Sequence, residues 1–250
     1  MIIEQDIDNV RLITLNAPNE HNPFCLSLEV AVKDALKRAD QDNSVSAIVV
    51  YGGNGRSFSA GGNFNEIKNL NTDNEIENWV DRVIDLYQSV LKVGKPTVAA
   101  IDGHAIGMGF QFALMFDQRV MASTAIFCMP ELLHGIGCSV GAAILRHTHT
   151  VSTMKQIIYQ CRKLNAFECE KYQIVDKIVV TENLLHEAIA IAGKMGNYPQ
   201  TAFKNTKQTV NQPFLKLLEE IRDSSKSVHK AAFLARDAQK HFNNILGKNS

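Results

Sequence analysis

The sequence predicts an α/β protein that ends in a region built only of helices, on three observations. Short apolar runs recur through the first 183 residues, two of them stopped by Gly52-Gly53 and Asp102-Gly103. Between them lie segments whose apolar residues repeat at the helical period. Beyond about residue 183 the strand-like runs stop.

Val10 to Leu15 is the first expected strand. A helix follows from about Leu26 to Ala39, where Leu28, Val32, Ala35 and Ala39 share a face and Glu29, Lys33 and Lys37 fall largely outside it. Ala47-Ile48-Val49-Val50-Tyr51 is continuously apolar and stopped by Gly52-Gly53, as a buried strand would be. The next helix spans about Asn74 to Leu91 on a stripe of Ile76, Val80, Val83, Ile84, Tyr87 and Leu91, and Gly94 with Pro96 ends it. Thr97 to Ile101 is a strand stopped by Asp102-Gly103. An apolar helix at about Met108 to Phe116 and strands near Gln118 to Ala122 and Ile174 to Val180 complete this part. Leu184 to Lys194, Thr201 to Val210 and Phe214 to Leu246 then read as helices. The expected division is a core over residues 1–183 and a helical region over 184–250, packed on the core or on another subunit.

Composition narrows the class. Hydrophobic residues make up 45% and charged residues 21%, and 26 basic residues balance 26 acidic ones. A neutral chain lacks the basic excess of a general nucleic-acid or membrane-surface binder, so a small-molecule partner is expected. The five cysteines, Cys25, Cys128, Cys138, Cys161 and Cys169, show no short metal or redox spacing, which points to a reduced, cytoplasmic setting. The start of the chain lacks the basic-then-apolar pattern of a signal peptide, and no apolar run is long enough for a membrane span.

Three segments carry candidate chemistry. In Ser57-Phe58-Ser59-Ala60-Gly61-Gly62-Asn63-Phe64-Asn65-Glu66, paired glycines follow a strand and precede a helix, so the backbone can approach a ligand, and Asn63 with Glu66 resembles a capping box. Taken alone, such a segment is more readily a tight strand-to-helix turn. Gly103-His104-Ala105-Ile106-Gly107-Met108-Gly109-Phe110-Gln111 repeats the design. Two such turns could offer one amide each to a single oxygen, which is an oxyanion hole. A Rossmann turn is excluded, because Gly107-Met108-Gly109-Phe110-Gln111-Phe112 lacks the third glycine. In Phe127-Cys128-Met129-Pro130-Glu131-Leu132-Leu133-His134, the Glu131 carboxylate sits among apolar neighbours, where desolvation would suit it to proton transfer.

Taken in this order and spacing, the three segments resemble the crotonase superfamily over nearly the whole chain. The resemblance implies a spiral of β-β-α units, a C-terminal helical region that serves assembly and covers the active site, and trimers often paired into hexamers. It also implies a coenzyme A thioester as substrate with no further cofactor and no metal, its thioester oxygen held by the amides of Gly62 and Met108. Ala60, Phe64, Trp79, Gln111 and His229 would line the substrate site. Hydratases of the superfamily carry two glutamates; the first aligns with Gln111 and only the second, Glu131, is present. The wider match of residues 56–62, 105–119, 129–131 with 134–143, and 228–233 resembles the members that make carbon–carbon bonds. Those decarboxylate malonyl-CoA, add the enolate to pyrroline-5-carboxylate and hydrolyse the thioester. An enoyl-CoA isomerase or hydratase, and a non-catalytic binding protein of the same fold, stand as alternatives.

From the residues alone, Trp79 is a core aromatic continuing the stripe with Ile76 and Val83, and His229 a surface histidine. Three further signals are weaker. Gly137-Cys138-Ser139-Val140-Gly141 fits a nucleophile elbow but lacks a clean preceding strand. His147-Thr148-His149 lacks a third metal ligand nearby, and Lys204, Lys207 and Lys216 suggest either CoA phosphates or a solvated helix face.

Overall fold

The computed structural model describes residues 1–235. In chain order the elements are β1 (Ile2–Ile7), β2 (Val10–Leu15), α1 (Leu26–Gln41), β3 (Ala47–Tyr51), α2 (Phe64–Ile67), α3 (Asp73–Leu91), β4 (Thr97–Ile101), β5 (His104–Ile106), α4 (Met108–Ala113), β6 (Gln118–Ala122) and β7 (Ile126–Cys128). After a 3-10 turn at Glu131–His134 come α5 (Ser139–Thr148), α6 (Val151–Ile158), β8 (Lys163–Leu164), α7 (Ala166–Lys171), β9 (Lys177–Val179), α8 (Leu184–Gly196), α9 (Gln200–Glu220) and α10 (Arg222–Phe233).

The strands form two sheets, one in the order β1-β2-β3-β4-β6-β9 and one in the order β5-β7-β8. In the larger sheet every pair is parallel except β1 with β2. These two form a hairpin whose Asp8 takes φ +52°, a tight-turn signal the strand periodicity does not carry. The central strands are apolar along their length because both faces are covered; Ala47 to Val50 and Thr97 to Ile101 are all buried.

Successive turns of the chain repeat one path. Strand β4 in the large sheet leads through β5 in the small sheet to α4, and β6 leads through β7 to the turn at 131–134 and α5. One turn earlier, β3 leads through a bridge of Ser59 to Ala105 and on to α2. This is the β-β-α spiral, and it fixes the site. Residues 60–62, 107–108 and 130–131 each follow the small-sheet segment of their own turn, so they come side by side.

Several boundaries differ from expectation. The helix expected to reach Phe116 stops at Ala113, and the last strand is shortened to Lys177–Val179. Thr201–Val210 and the start of the next helix are one helix, α9, which runs through Pro213. The helix expected to Leu246 is α10, whose last turn ends at Phe233; the rest of that expectation lies outside the described residues. Glu29 does not fall outside α1: it is 1% exposed and faces Arg82 of α3. Its position follows Leu28, where a helix packed on two sides needs a wider face than the period of one stripe allows.

Helix α8 packs on β2, β3, β4 and β6, whereas α10 packs on α3. Charge fastens α10 there. Arg222 reaches Asp81 and Asp85 at 3.0 Å, Lys226 reaches Asp81 at 2.9 Å, and Lys230 reaches Glu77 at 2.7 Å. Val228 lies so close to Gly137 that a Cβ there would stand 2.2 Å from Val228 Cγ1. Helix α10 is thereby seated against the loop that follows Glu131.

Candidate active site

Two glycines shape the backbone of the site. Gly61 adopts φ +95°, and a Cβ there would stand 2.7 Å from the Ile106 carbonyl oxygen. Gly107 adopts φ +51°, with its missing Cβ facing Glu131 Oε1 at 3.4 Å. Both conformations favour glycine, Gly61 where the first turn of the spiral meets the second and Gly107 where the second meets the third. The bridge to Phe24 uses the Gly61 carbonyl and the Asn63 amide, so the Gly62 N–H between them is turned away from that strand. Met108 is the first residue of α4, where an amide has no partner within the helix. A Cβ on Gly61 would lie 3.6 Å from Met108 N, so the two free amides belong to one small region.

A cavity opens against these amides, with about 70 Å³ of space for the centres of water-sized molecules, several times what one water needs. Ala60, Gly62, Phe64, Trp79, Met108, Gln111, Glu131 and His229 all line it. The structure therefore brings these eight residues, separated in the sequence, to one place. Around them the wall is mostly apolar, with Val80, Val83, Ile136 and Val140 contributing.

Glu131 is the one carboxylate lining the cavity among the described residues. Its Oε1 accepts a hydrogen bond from Gln111 Nε2 at 2.8 Å, while Oε2 is shut from bulk solvent and has no hydrogen-bond partner among the described residues. Burial raises its pKa, opposed by its own backbone amide, Gln111 and the neighbouring Cys138 thiol. Tyr87, fully buried on α3, donates its hydroxyl to Gln111 Oε1 at 3.1 Å.

The opposite wall is aromatic. Trp79 packs against His229 and Phe233 with ring centroids 5.4 Å apart in each case. Trp79 is both a buried stripe residue, 7% exposed, and a lining residue. His229 is not at the surface: it is buried, and Nδ1 lies 2.8 Å from the Ser225 carbonyl oxygen. A carbonyl only accepts, so Nδ1 carries hydrogen. Burial lowers the His229 pKa, which favours the neutral ring with a lone pair on Nε2. Phe64 meets His134 edge-to-face at 5.6 Å, and both line the cavity.

The capping box and the solvated lysine face are corrected, and the weaker signals form no site. Asn63 caps α2 by accepting from the Asn65 amide, and Glu66 turns away to Arg82 at 2.5 Å, so no capping box forms. Lys207 is buried and binds Asp117 at 2.7 Å, while Lys216 pairs with Glu220, so these are not one phosphate cluster. Ser139 opens α5 and donates to Ser225 Oγ at 3.1 Å, with no nucleophile-elbow strand before it. His147 stacks on Phe214 at 4.5 Å and His149 meets the Gln173 carbonyl, and no group of three metal-ligating side chains occurs among the described residues. Tyr87, His134 and Cys138 were not singled out in the sequence. Tyr87 looked like one more stripe residue, and Cys138 lay inside a motif with another meaning.

A two-sheet β-β-α spiral with free amides on successive turns and a buried carboxylate beside them defines the crotonase class of fold and site. The chain belongs to the enoyl-CoA hydratase/isomerase family, whose model matches residues 5–248. It is 64% identical over 248 residues to the carboxymethylproline synthase of Pectobacterium carotovorum subsp. carotovorum, covering 99% of both chains. It is 29% identical over 242 residues to a probable mitochondrial enoyl-CoA hydratase of Dictyostelium discoideum, covering 96% of this chain and 85% of that one. Among solved structures, ThnE from S. clavuligerus is 29% identical with a TM-score of 0.80, over 91% of this chain and 100% of that one. An enoyl-CoA hydratase/isomerase from Mycobacterium paratuberculosis, 24% identical over 97% of both chains with a TM-score of 0.87, shares the fold.

Proposed function

We propose that the chain is a carboxymethylproline synthase that uses malonyl-CoA and pyrroline-5-carboxylate. The observation that carries this is the partner of Glu131: a glutamine, Gln111, which cannot trade a proton, where a hydratase of the superfamily would have a second glutamate. The identity of 64% to a carboxymethylproline synthase over nearly the whole chain supports the same choice.

The amides of Gly62 and Met108 hold the thioester oxygen of malonyl-CoA. As the bond to the carboxylate breaks, its electron pair passes into the enolate, whose oxygen gains charge against those donors while carbon dioxide leaves. The apolar wall around Val80 and Val83 favours loss of the charged carboxylate over keeping it. The enolate carbon then bonds to the imine carbon of pyrroline-5-carboxylate, and the ring nitrogen takes up a proton. Trp79 and His229 wall the space for that ring, with Ala60 and Phe64 on the acyl side. Glu131 Oε2 takes a proton from water, which attacks the thioester; coenzyme A leaves as the thiol and carboxymethylproline as the free acid. With charge passed to a bound thioester oxygen, no metal or prosthetic group is required.

Assembly as a homotrimer or a hexamer belongs to the same proposal, as does a cytoplasmic setting. No helix among the described residues is long and apolar enough to cross a membrane, and all five cysteines are free thiols. Incubation with malonyl-CoA and pyrroline-5-carboxylate, followed by mass spectrometry, yields carboxymethylproline and free coenzyme A. Absence of that product, with isomerisation of a 3-enoyl-CoA by the same preparation, would make the chain an isomerase.

A further inference from the structure

Glu131 is held through a chain of groups that starts two helices away. Tyr87 has one hydroxyl hydrogen and two acceptors within range, the Met108 carbonyl at 3.5 Å and Gln111 Oε1 at 3.1 Å. The shorter contact takes it, because hydrogen bonds weaken steeply toward 3.5 Å. The Gln111 amide is then pinned at both ends, its oxygen by Tyr87 and its nitrogen by Glu131 Oε1 at 2.8 Å. Turned over, the amide would set its oxygen against the carboxylate. The remaining carboxylate oxygen, Oε2, is left without a partner.

We propose that Tyr87 is a positioning residue: its hydroxyl fixes the orientation of the Gln111 amide, which holds Glu131 Oε1 and leaves Oε2 alone for the reacting water. The inference deepens the assignment of Glu131 to thioester hydrolysis and rests on it for its kinetic consequence, but not for its structural one. Burial and the Glu131 charge both push the Tyr87 phenol well above its ordinary range, so the hydroxyl stays a donor at any working pH. The ionisable groups facing this network are Cys138 at the start of α5, Cys128 on β7, and Glu29 on α1, with His134 and His229 across the cavity. Burial raises the Cys128 and Cys138 thiols, and burial lowers His229, so these three are neutral neighbours. The Cys138 thiol also bonds the Glu131 carboxylate, whereas Tyr87 acts on it through the Gln111 amide.

Tyr87→Phe removes the hydroxyl and keeps the ring. Without its donor the Gln111 oxygen is buried and unpaired, the amide turns or withdraws, and Glu131 loses a bond that favoured its charged form. Product release should slow about tenfold, and the ascending limb of the pH profile should move to higher pH. Malonyl-CoA decarboxylation, read as carbon dioxide release, should change less than twofold because the amides at Gly62 and Met108 are untouched. A packing defect would lower both steps at every pH and leave the limb in place. Gln111→Met, which removes the bridge at similar volume, should shift the limb alike, and the double variant should add nothing further.

The test independent of turnover is an infrared titration of the carboxylate bands in the free enzyme, with Glu131→Gln subtracted to isolate Glu131. In Tyr87→Phe, Glu131 should take up its proton at a higher pH than in the wild type. An unchanged Glu131 titration in a folded Tyr87→Phe enzyme overturns the inference. A shifted titration in an enzyme that makes no carboxymethylproline upholds it while removing the proposed function.

Discussion

Glu29 and Glu131 are both carboxylates with an oxygen shut from solvent and without a hydrogen-bond partner, yet their neighbours divide their roles. Glu29 lies between α1 and α3, its Oε2 at 3.4 Å from Arg82 Nε, and Arg82 is shared with Glu66. Glu131 faces the cavity and meets neutral partners, the Gln111 amide, its own backbone amide and the Cys138 thiol. Burial raises both pKa values, and for Glu29 the nearby Arg82 cation opposes the rise. A buried carboxylate with a cation is committed to the fold; one with a neutral partner and an open face retains a lone pair for chemistry.

The comparison breaks most sharply at Glu131. Glu131→Ala should reduce carboxymethylproline formation by about a hundredfold or more while CoA-thioester affinity changes little. Kinetics together with calorimetric titration of a non-reactive thioester check both halves. Retained turnover would make Glu131 as structural as Glu29.

Gln111→Glu puts a carboxylate 2.8 Å from another and gives the site the two-glutamate composition of a hydratase. Like charges so close cannot both ionise, so one proton is shared and the free base is lost. Synthase turnover should fall about tenfold, with the ascending limb of its pH profile displaced upward. A profile that stays in place would show that Gln111 does not set the state of Glu131.

Glu29→Gln should leave turnover within about twofold of wild type, since Glu29 does not line the cavity. Its effect is on stability, and its sign is set by the raised pKa. The folded chain keeps the Glu29 proton to a higher pH than the unfolded chain. The stability this group contributes is therefore full below the unfolded carboxylate range and lost as pH rises through the folded value. Denaturant midpoints of wild type relative to the variant should fall as pH rises from the ordinary carboxylate range through the raised folded-state value. A relative midpoint that rises over that range would mean Arg82 outweighs burial.

The same contrast explains what was legible in the sequence. Strands β3, β4 and β6 were readable to the residue, because burial on both faces or apolar patterning leaves a mark in every position. The site cradle was legible because Gly61, Gly62 and Gly107 are needed for close approach and Pro130-Glu131 follows at the matching point of the next turn. Strand β1 was missed because its residues alternate poorly, and Glu29 was misplaced because one stripe does not describe a helix packed on two sides. Tyr87 and the buried face of His229 were hidden for a different reason. A stripe position says that a side chain is inside, not which polar atom its hydroxyl or ring will meet.

The central claim is that the amides make the enolate and Glu131 acts only afterwards, on the thioester. A single-turnover experiment on Glu131→Gln with carboxyl-labelled malonyl-CoA and pyrroline-5-carboxylate separates the two steps. Labelled carbon dioxide should be released within about twofold of the wild-type rate while the carboxymethylprolyl thioester accumulates. Loss of carbon dioxide release, or free carboxymethylproline formed at the wild-type rate, would contradict the account.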